Sequence, residues 1–99
     1  MTRHTDFDAI NRAAVAVLPD VLNRLLPGGK AIGREYQARN PRRSDRALGS
    51  FKVNLATGKW QDFATGDKGG DPVSLAAYLA SVSQVEAARL LARMVGVES

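Results

Sequence analysis

An alternating segment in the middle of the chain most constrains the fold. From Ser50 to Leu55 apolar and polar residues alternate, which predicts a β-strand with one apolar face. Ala56-Thr57-Gly58 follows as a three-residue hairpin loop, and Lys59 to Phe63 returns as the partner strand. The apolar face of this hairpin is expected to consist of Phe51, Val53, Leu55 and Phe63. The segment therefore predicts an antiparallel hairpin with one face on a core.

The loop length also predicts the pairing of the two strands. Asn54 is expected opposite Trp60, and Lys52 opposite Asp62, with all four side chains directed away from the core. Trp60 would then be exposed beside lysines. A shift of the pairing by one residue would reverse this assignment and place Trp60 in the core, so both orientations of the indole stay open.

Helical patterns flank the hairpin region. Between Asp6 and Leu26 apolar residues recur at three- and four-residue steps, and Pro19 predicts either two helices or one bent helix. This stripe consists of Phe7, Ile10, Ala14, Val17, Leu18, Val21, Leu22 and Leu25. Tyr36 to Arg39 is a weaker strand candidate.

Two further helices are predicted near the C-terminus. Asp71 is an N-cap, followed by Pro72 at the first helical position of a helix that reaches Ala80. Ser83 begins the last helix with a capping-box pattern, and this helix ends at Gly96. Its inward stripe is predicted to be Val85, Ala88, Leu91 and Val95, and Tyr78 of the preceding helix is expected to pack on the core.

These elements predict one α+β domain over residues 1–99, large enough for a single modest core. A helical segment at 6–27 precedes a small ribbon-like antiparallel sheet of about three strands at 32–65, and a helix pair follows at 71–96. No stretch approaches the roughly 20 apolar residues of a membrane span, and no signal peptide is recognisable. A cytoplasmic protein is expected.

The positive charge is concentrated in one part of the chain. Residues 30–59 carry eight basic and two acidic side chains, a net charge of +6, whereas the remainder carries −2. The basic residues are Lys30, Arg34, Arg39, Arg42, Arg43, Arg46, Lys52 and Lys59. Clustered positive charge attracts phosphates and releases their counterions, so a polyanionic partner is expected.

The residue types present exclude several kinds of chemistry. The chain has no cysteine and only one histidine, His4, which excludes thiolate metal sites and makes a catalytic triad or a histidine-rich site implausible. The acidic residues are scattered at caps and turns instead of forming a magnesium-binding cluster. We therefore expect no enzymatic activity, no cofactor and no metal.

Four short motifs occur in order within residues Tyr36 to Val97: Asn40-Pro41-Arg42-Arg43, Gly49-Ser50-Phe51, Asp62-Phe63-Ala64-Thr65-Gly66 and Gly69-Gly70-Asp71. This order of features resembles the N-terminal zinc-binding, or zinc-ribbon, domain of bacterial and phage DNA primases. Asn40-Pro41-Arg42-Arg43 stands in the place of the family's Cys-Pro-x-His, and Gly49-Ser50-Phe51 in that of its Pro-Ser-Phe. Asp62-Phe63-Ala64-Thr65-Gly66 corresponds to Cys-Phe-Gly-Cys-Gly, and Gly69-Gly70-Asp71 to a Gly-Gly-Asp. The resemblance implies the ribbon fold of that family.

The same comparison implies a degenerate form that has lost its metal. Asn40, Arg43, Asp62 and Thr65 stand where the family has cysteine and histidine, and arginine cannot bind zinc, while asparagine and threonine are poor ligands for it. A charge-assisted hydrogen bond between Arg43 and Asp62 is one hypothesis for what replaces the metal, and the alternative is that both side chains face water.

The resemblance implies single-stranded DNA binding or template recognition in the primase-type replication of a plasmid, phage or mobile element, with RNA as an alternative ligand. A basic groove with aromatic side chains is also the combination that single-strand binders use. The predicted nucleic-acid-binding residues are Arg34, Arg39, Arg42, Arg43, Arg46, Lys52, Asn54, Lys59 and Trp60. The alternative is a protein-interaction subunit whose amphipathic N-terminal helix docks on a primase, helicase or replication initiator.

Overall fold

The structure, a computed structural model, describes residues 6–41 and 50–97. Within these ranges the elements in chain order are α1 (Phe7–Ala16), α2 (Leu18–Leu25), β1 (Lys30–Ile32), β2 (Glu35–Ala38), β3 (Phe51–Asn54), β4 (Trp60–Asp62), β5 (Lys68–Gly69), α3 (Pro72–Ala80) and α4 (Gln84–Val95). The described strands form one antiparallel sheet in the order β1-β2-β3-β4-β5. The predicted α+β class is confirmed, but the sheet has five strands instead of about three.

The N-terminal segment forms two helices, which is one of the two predicted outcomes. Asp6 caps α1 by accepting a hydrogen bond from the Ala9 backbone N–H, at 3.0 Å. The break falls at Val17, and Pro19 lies in the first turn of α2, where its missing N–H costs no helical hydrogen bond. Val17 itself is 42% exposed because it lies at this break, so its predicted place in the core is wrong.

The C-terminal helices begin and end as their local signals predict. Asp71 and Ser74 form a capping box at the start of α3, and Ser83 accepts a hydrogen bond from the Glu86 N–H at the start of α4. Gly96 ends α4 with a φ of 75°. The inward face of α4 is rotated relative to the prediction, and Val85 is 43% exposed. The buried residues of α4 are Ala87, Ala88, Leu91 and Ala92.

The core lies between the helices and one face of the sheet. Ile10, Leu18 and Leu22 from the N-terminal helices join Leu75 and Leu91 from the C-terminal pair in one buried cluster. The sheet contributes Tyr36, Ala38, Phe51, Val53 and Trp60 to the same cluster. No helix within residues 6–41 and 50–97 is both long and apolar enough to cross a membrane.

The pairing of β3 with β4 differs by one residue from the prediction. Val53 is opposite Trp60, and Phe51 is opposite Asp62. The shift arises in the loop, where Asn54 holds the turn. Its backbone carbonyl accepts a hydrogen bond from the Gly58 N–H at 2.8 Å, and its side-chain oxygen accepts hydrogen bonds from two further backbone amides of the loop. Gly58 has the positive φ, 80°, that was predicted for it. The wider loop moves every β4 side chain to the opposite face.

Candidate nucleic-acid interface

The outer face of the sheet carries a row of alternating lysine and glutamine side chains. Successive strand pairings place Lys30 opposite Gln37, Gln37 opposite Lys52, Lys52 opposite Gln61 and Gln61 opposite Lys68. We call these five residues the basic row. With neighbouring strands about 4.8 Å apart, consecutive lysines of the row lie roughly 10 Å apart across the sheet.

The basic row is accessible and contains no acidic side chain. Lys30 and Lys68 are exposed, and the three central residues are partly exposed. The neighbouring row on the same face contains Ile32, Glu35 and Asn54. Glu35 is therefore the acidic residue that the strand pairings place beside the basic row. The face therefore presents three ammonium groups and two amides, a set that can bind phosphate oxygens and base edges.

The other predicted binding residues are distributed around this face. Arg34 and Lys59 are exposed at one end of the sheet, where the Leu55 N–H donates to the Arg34 carbonyl, and Arg39 is exposed just beyond the far end of β2. Asn54 is committed to its own loop through two backbone hydrogen bonds to its side chain. Arg42, Arg43 and Arg46, and with them the proposed bond from Arg43 to Asp62, lie outside the described residues.

Of the two orientations left open for Trp60, the outward one that the predicted pairing favours is wrong. Its side chain is only 5% exposed, stacks on Phe51 with ring centroids 5.7 Å apart, and donates from Nε1 to the Ser74 hydroxyl at 3.0 Å. Gly69 passes so close to the indole that a Cβ there would collide with it. An indole held in this way offers no face to a base, so Trp60 leaves the set of candidate contact residues.

Phe63 is exposed where the sequence pattern predicted it to be buried. Its ring is 60% exposed, and the Lys52 Nζ lies 5.4 Å from the ring centroid. The one-residue shift explains this exchange, since Phe63 and Gln61 now occupy the face that was predicted for Trp60 and Asp62. The aromatic group beside Lys52 is therefore Phe63.

A buried polar network occupies two of the four positions at which the resemblance places metal ligands. Asn40 and Asp62 are 1% and 0% exposed, and Asn40 Nδ2 donates to Asp62 Oδ2 at 2.8 Å. The same amide donates to the Tyr78 hydroxyl at 2.8 Å, which in turn donates to Asp67 Oδ2 at 2.8 Å. The other carboxylate oxygen of Asp62 accepts from the Ala64 N–H at 2.8 Å. The prediction that Asp62 faces outward is therefore wrong.

Tyr78 connects this network to the aromatic core. Its ring lies 4.7 Å from that of Trp60 and 6.2 Å from that of Phe51, which confirms that it packs on the core. Burial is the main factor that raises the pKa of the Tyr78 phenol, and Asp67 and Asp62 raise it further, against an opposing hydrogen bond from Asn40. The phenol therefore stays protonated at neutral pH and remains a donor to Asp67.

The donor set does not suit zinc. Of the four ligand-equivalent positions, Asn40 uses its amide nitrogen as a donor, and Thr65 is exposed with its hydroxyl accepting from the Asp67 N–H at 3.2 Å. Within residues 6–41 and 50–97, no group of three or more histidine, cysteine, aspartate or glutamate side chains could hold a metal ion. Zinc sites in proteins need four such ligands, or three and a water.

We predict that Asn40→Ala lowers the free energy of unfolding by about 1–3 kcal/mol, because one buried and one partly buried hydrogen bond lose their donor. Thr65→Ala is the matched control at another ligand-equivalent position. Since Thr65 is exposed, its loss should stay within roughly 0.5 kcal/mol. Urea denaturation of the two variants measures both values, and equal effects would contradict a structural role for the network.

The described residues thus define a small α+β domain with a basic outer sheet face. A crystal structure of the Aquifex aeolicus primase, containing zinc-binding and RNA polymerase domains, is similar to it with a TM-score of 0.70 and 25% sequence identity. The match covers 98% of this chain but 23% of the primase chain. No protein-family model matches the chain. No curated protein matches it either. The fold is that of a primase-like domain.

Sequence reasoning missed most of the basic row. In the sequence Lys30 is one of several basic residues and has no feature that marks it as a binding residue, and Lys68 lies in a glycine-rich segment that indicates a turn. Gln37 and Gln61 carry no charge that would have singled them out. Two-residue and three-residue strands at the sheet edges give no alternation signal, so only the pairing of five strands brings these residues together.

Proposed function

We propose that this chain is a nucleic-acid-binding module of the primase type, which binds single-stranded DNA on the outer face of its sheet. The observation that carries the proposal is the basic row, in which Lys30, Lys52 and Lys68 alternate with two glutamines across five paired strands. The similarity to a primase structure supports the same conclusion. In this proposal the chain recognises a template and does not itself catalyse primer synthesis.

The burial of the apolar face of α1 and α2 argues against the protein-interaction alternative. Ile10, Ala14, Leu18, Val21 and Leu22 are all buried in the chain's own core. That apolar face is therefore occupied, and docking on a primase, helicase or initiator would need another surface. The proposal keeps such a protein as a second partner beside DNA, with RNA as the alternative nucleic acid.

Oligonucleotide binding across a salt series tests the proposal. We expect a labelled single-stranded DNA of about 20 nucleotides to bind, with an affinity that falls with salt by about 0.7 in logarithmic slope per phosphate contact. Unlabelled duplex and RNA competitors then rank the ligands. Absence of binding at roughly 50 mM salt, combined with co-purification of a protein partner, would favour the interaction alternative instead.

We further propose that the folded protein contains no zinc, since Asn40 and Asp62, at two of the positions where the resemblance places metal ligands, are hydrogen-bonded to each other. Protein purified without chelator should contain far less than one zinc per chain by elemental analysis. Its melting temperature should not change when a strong chelator is added. One tightly held zinc per chain, or unfolding by the chelator, would overturn this part of the proposal.

A further inference from the structure

We infer that Phe63 is a base-stacking subsite at the edge of the basic row, taking one nucleobase of a single strand. This inference rests on the proposed function, because it names the residue that holds a base on the face proposed to hold the backbone. Among the described residues, five large hydrophobic side chains are exposed: Val17, Ile32, Phe63, Val85 and Leu90. Phe63 is the aromatic one and the most exposed, at 60%.

The position of Phe63 favours a nucleobase as its ligand. The Phe63 N–H donates to the Ser50 carbonyl at 2.7 Å, which continues the β3–β4 pairing and holds the ring on the outer face beside Lys52. The Lys52 ammonium, 5.4 Å from the ring centroid, is available to the phosphate next to a base that stacks on the ring. A π-face with adjacent cations is the arrangement by which proteins hold single strands without reading base identity.

Phe63 contributes little to the fold, so a substitution there can change nucleic-acid binding without changing stability. The ring is mostly in solvent, whereas the indole of Trp60, in the adjoining strand β4, packs inside the core. Phe63→Ala should therefore melt close to the parent temperature. Leu90→Ala is a matched control, since Leu90 is also an exposed apolar side chain, at 44%, but lies on α4 instead of the sheet.

The test measures binding of a labelled single-stranded DNA and of an abasic oligonucleotide of equal length. Loss of one base stack should weaken binding of the normal strand by roughly 5- to 150-fold in Phe63→Ala. Phe63→Leu should lose as much, because it is apolar but has no π-face, whereas Phe63→Trp should retain the parent affinity. The abasic strand should bind the parent and Phe63→Ala equally, and Leu90→Ala should behave as the parent.

Different failures of this test have different meanings. If the parent binds neither strand, the proposed function fails and the subsite with it. If the parent binds but Phe63→Ala binds equally well, or Phe63→Leu retains full affinity, the face binds nucleic acid and the stacking inference is overturned. A salt slope that is unchanged in Phe63→Ala, together with reduced affinity, supports stacking because no charge has been removed.

Discussion

Trp60→Ala is expected to destabilise the fold by about 3–5 kcal/mol, which is the usual cost of emptying a core tryptophan site. The indole is 5% exposed, stacks on Phe51, lies tilted against Tyr78 with ring centroids 4.7 Å apart, and donates a hydrogen bond to Ser74. Ser74 also belongs to the capping box of α3, so the substitution disturbs a helix start as well as the core. Since domains of this size are stable by only about 5–15 kcal/mol, this loss would remove a large fraction of the total free energy of unfolding.

Thermal and urea denaturation measure this effect, with a drop in melting temperature of at least about 12 °C expected for a domain of this length. Phe63→Ala is the control, because it removes another aromatic ring, from the residue directly after β4, but leaves no cavity. As Trp60 is the only tryptophan, its emission should be blue-shifted in the folded parent and should not respond to oligonucleotide. Red-shifted emission of the parent, together with a nearly unchanged melting temperature of Trp60→Ala, would instead show that Trp60 lies on the outer face.

The combined substitution Lys30→Ala, Lys52→Ala and Lys68→Ala is expected to remove most single-strand binding. If each lysine of the basic row contacts one phosphate, the logarithmic salt slope should fall by about 2, at 0.7 per contact. At roughly 50 mM salt the affinity should fall by an order of magnitude or more. The fold should persist, since these side chains lie on the face away from the core.

A second triple variant separates a defined site from general positive charge. Arg12, Arg89 and Arg93 are exposed on α1 and α4, so replacing all three with alanine removes the same net charge away from the sheet. This variant should keep most of the parent's affinity and salt slope. Equal losses in both triple variants would show that overall charge, and not the basic row, drives the association.

The helices were predictable from sequence because their signals are local. Asp71 and Ser74 lie within one turn of each other, as do Ser83 and Glu86, so each helix start is encoded in four consecutive residues. The hairpin and its Gly58 were predictable for the same reason. The side of α4 that faces the core could not be predicted in this way, because it depends on how α4 packs against α1 and α3. In the structure this packing leaves Val85 facing solvent.

The candidate site was predictable only in its charge. The sequence locates a positive region and an aromatic strand, but a period of two means that one extra loop residue exchanges the two faces of that strand. The Asn54 side chain accepts hydrogen bonds from two loop amides and thereby sets the loop length, which decides which face each β4 side chain occupies. An alternation of polar and apolar residues does not reveal these hydrogen bonds. As a result, Trp60 lies in the core and Phe63 lies on the outer face.

By itself, the sequence determined the α+β class, the ends of the two C-terminal helices, the hairpin and the basic character of residues 30–59, since these depend on composition and on neighbours within a few positions. Tertiary structure alone decided the strand pairing, the alignment of Lys30, Lys52 and Lys68 across the sheet, and the hydrogen bond between Asn40 and Asp62. These features join residues that are distant along the chain, and only the packing of the sheet on its helices brings them together.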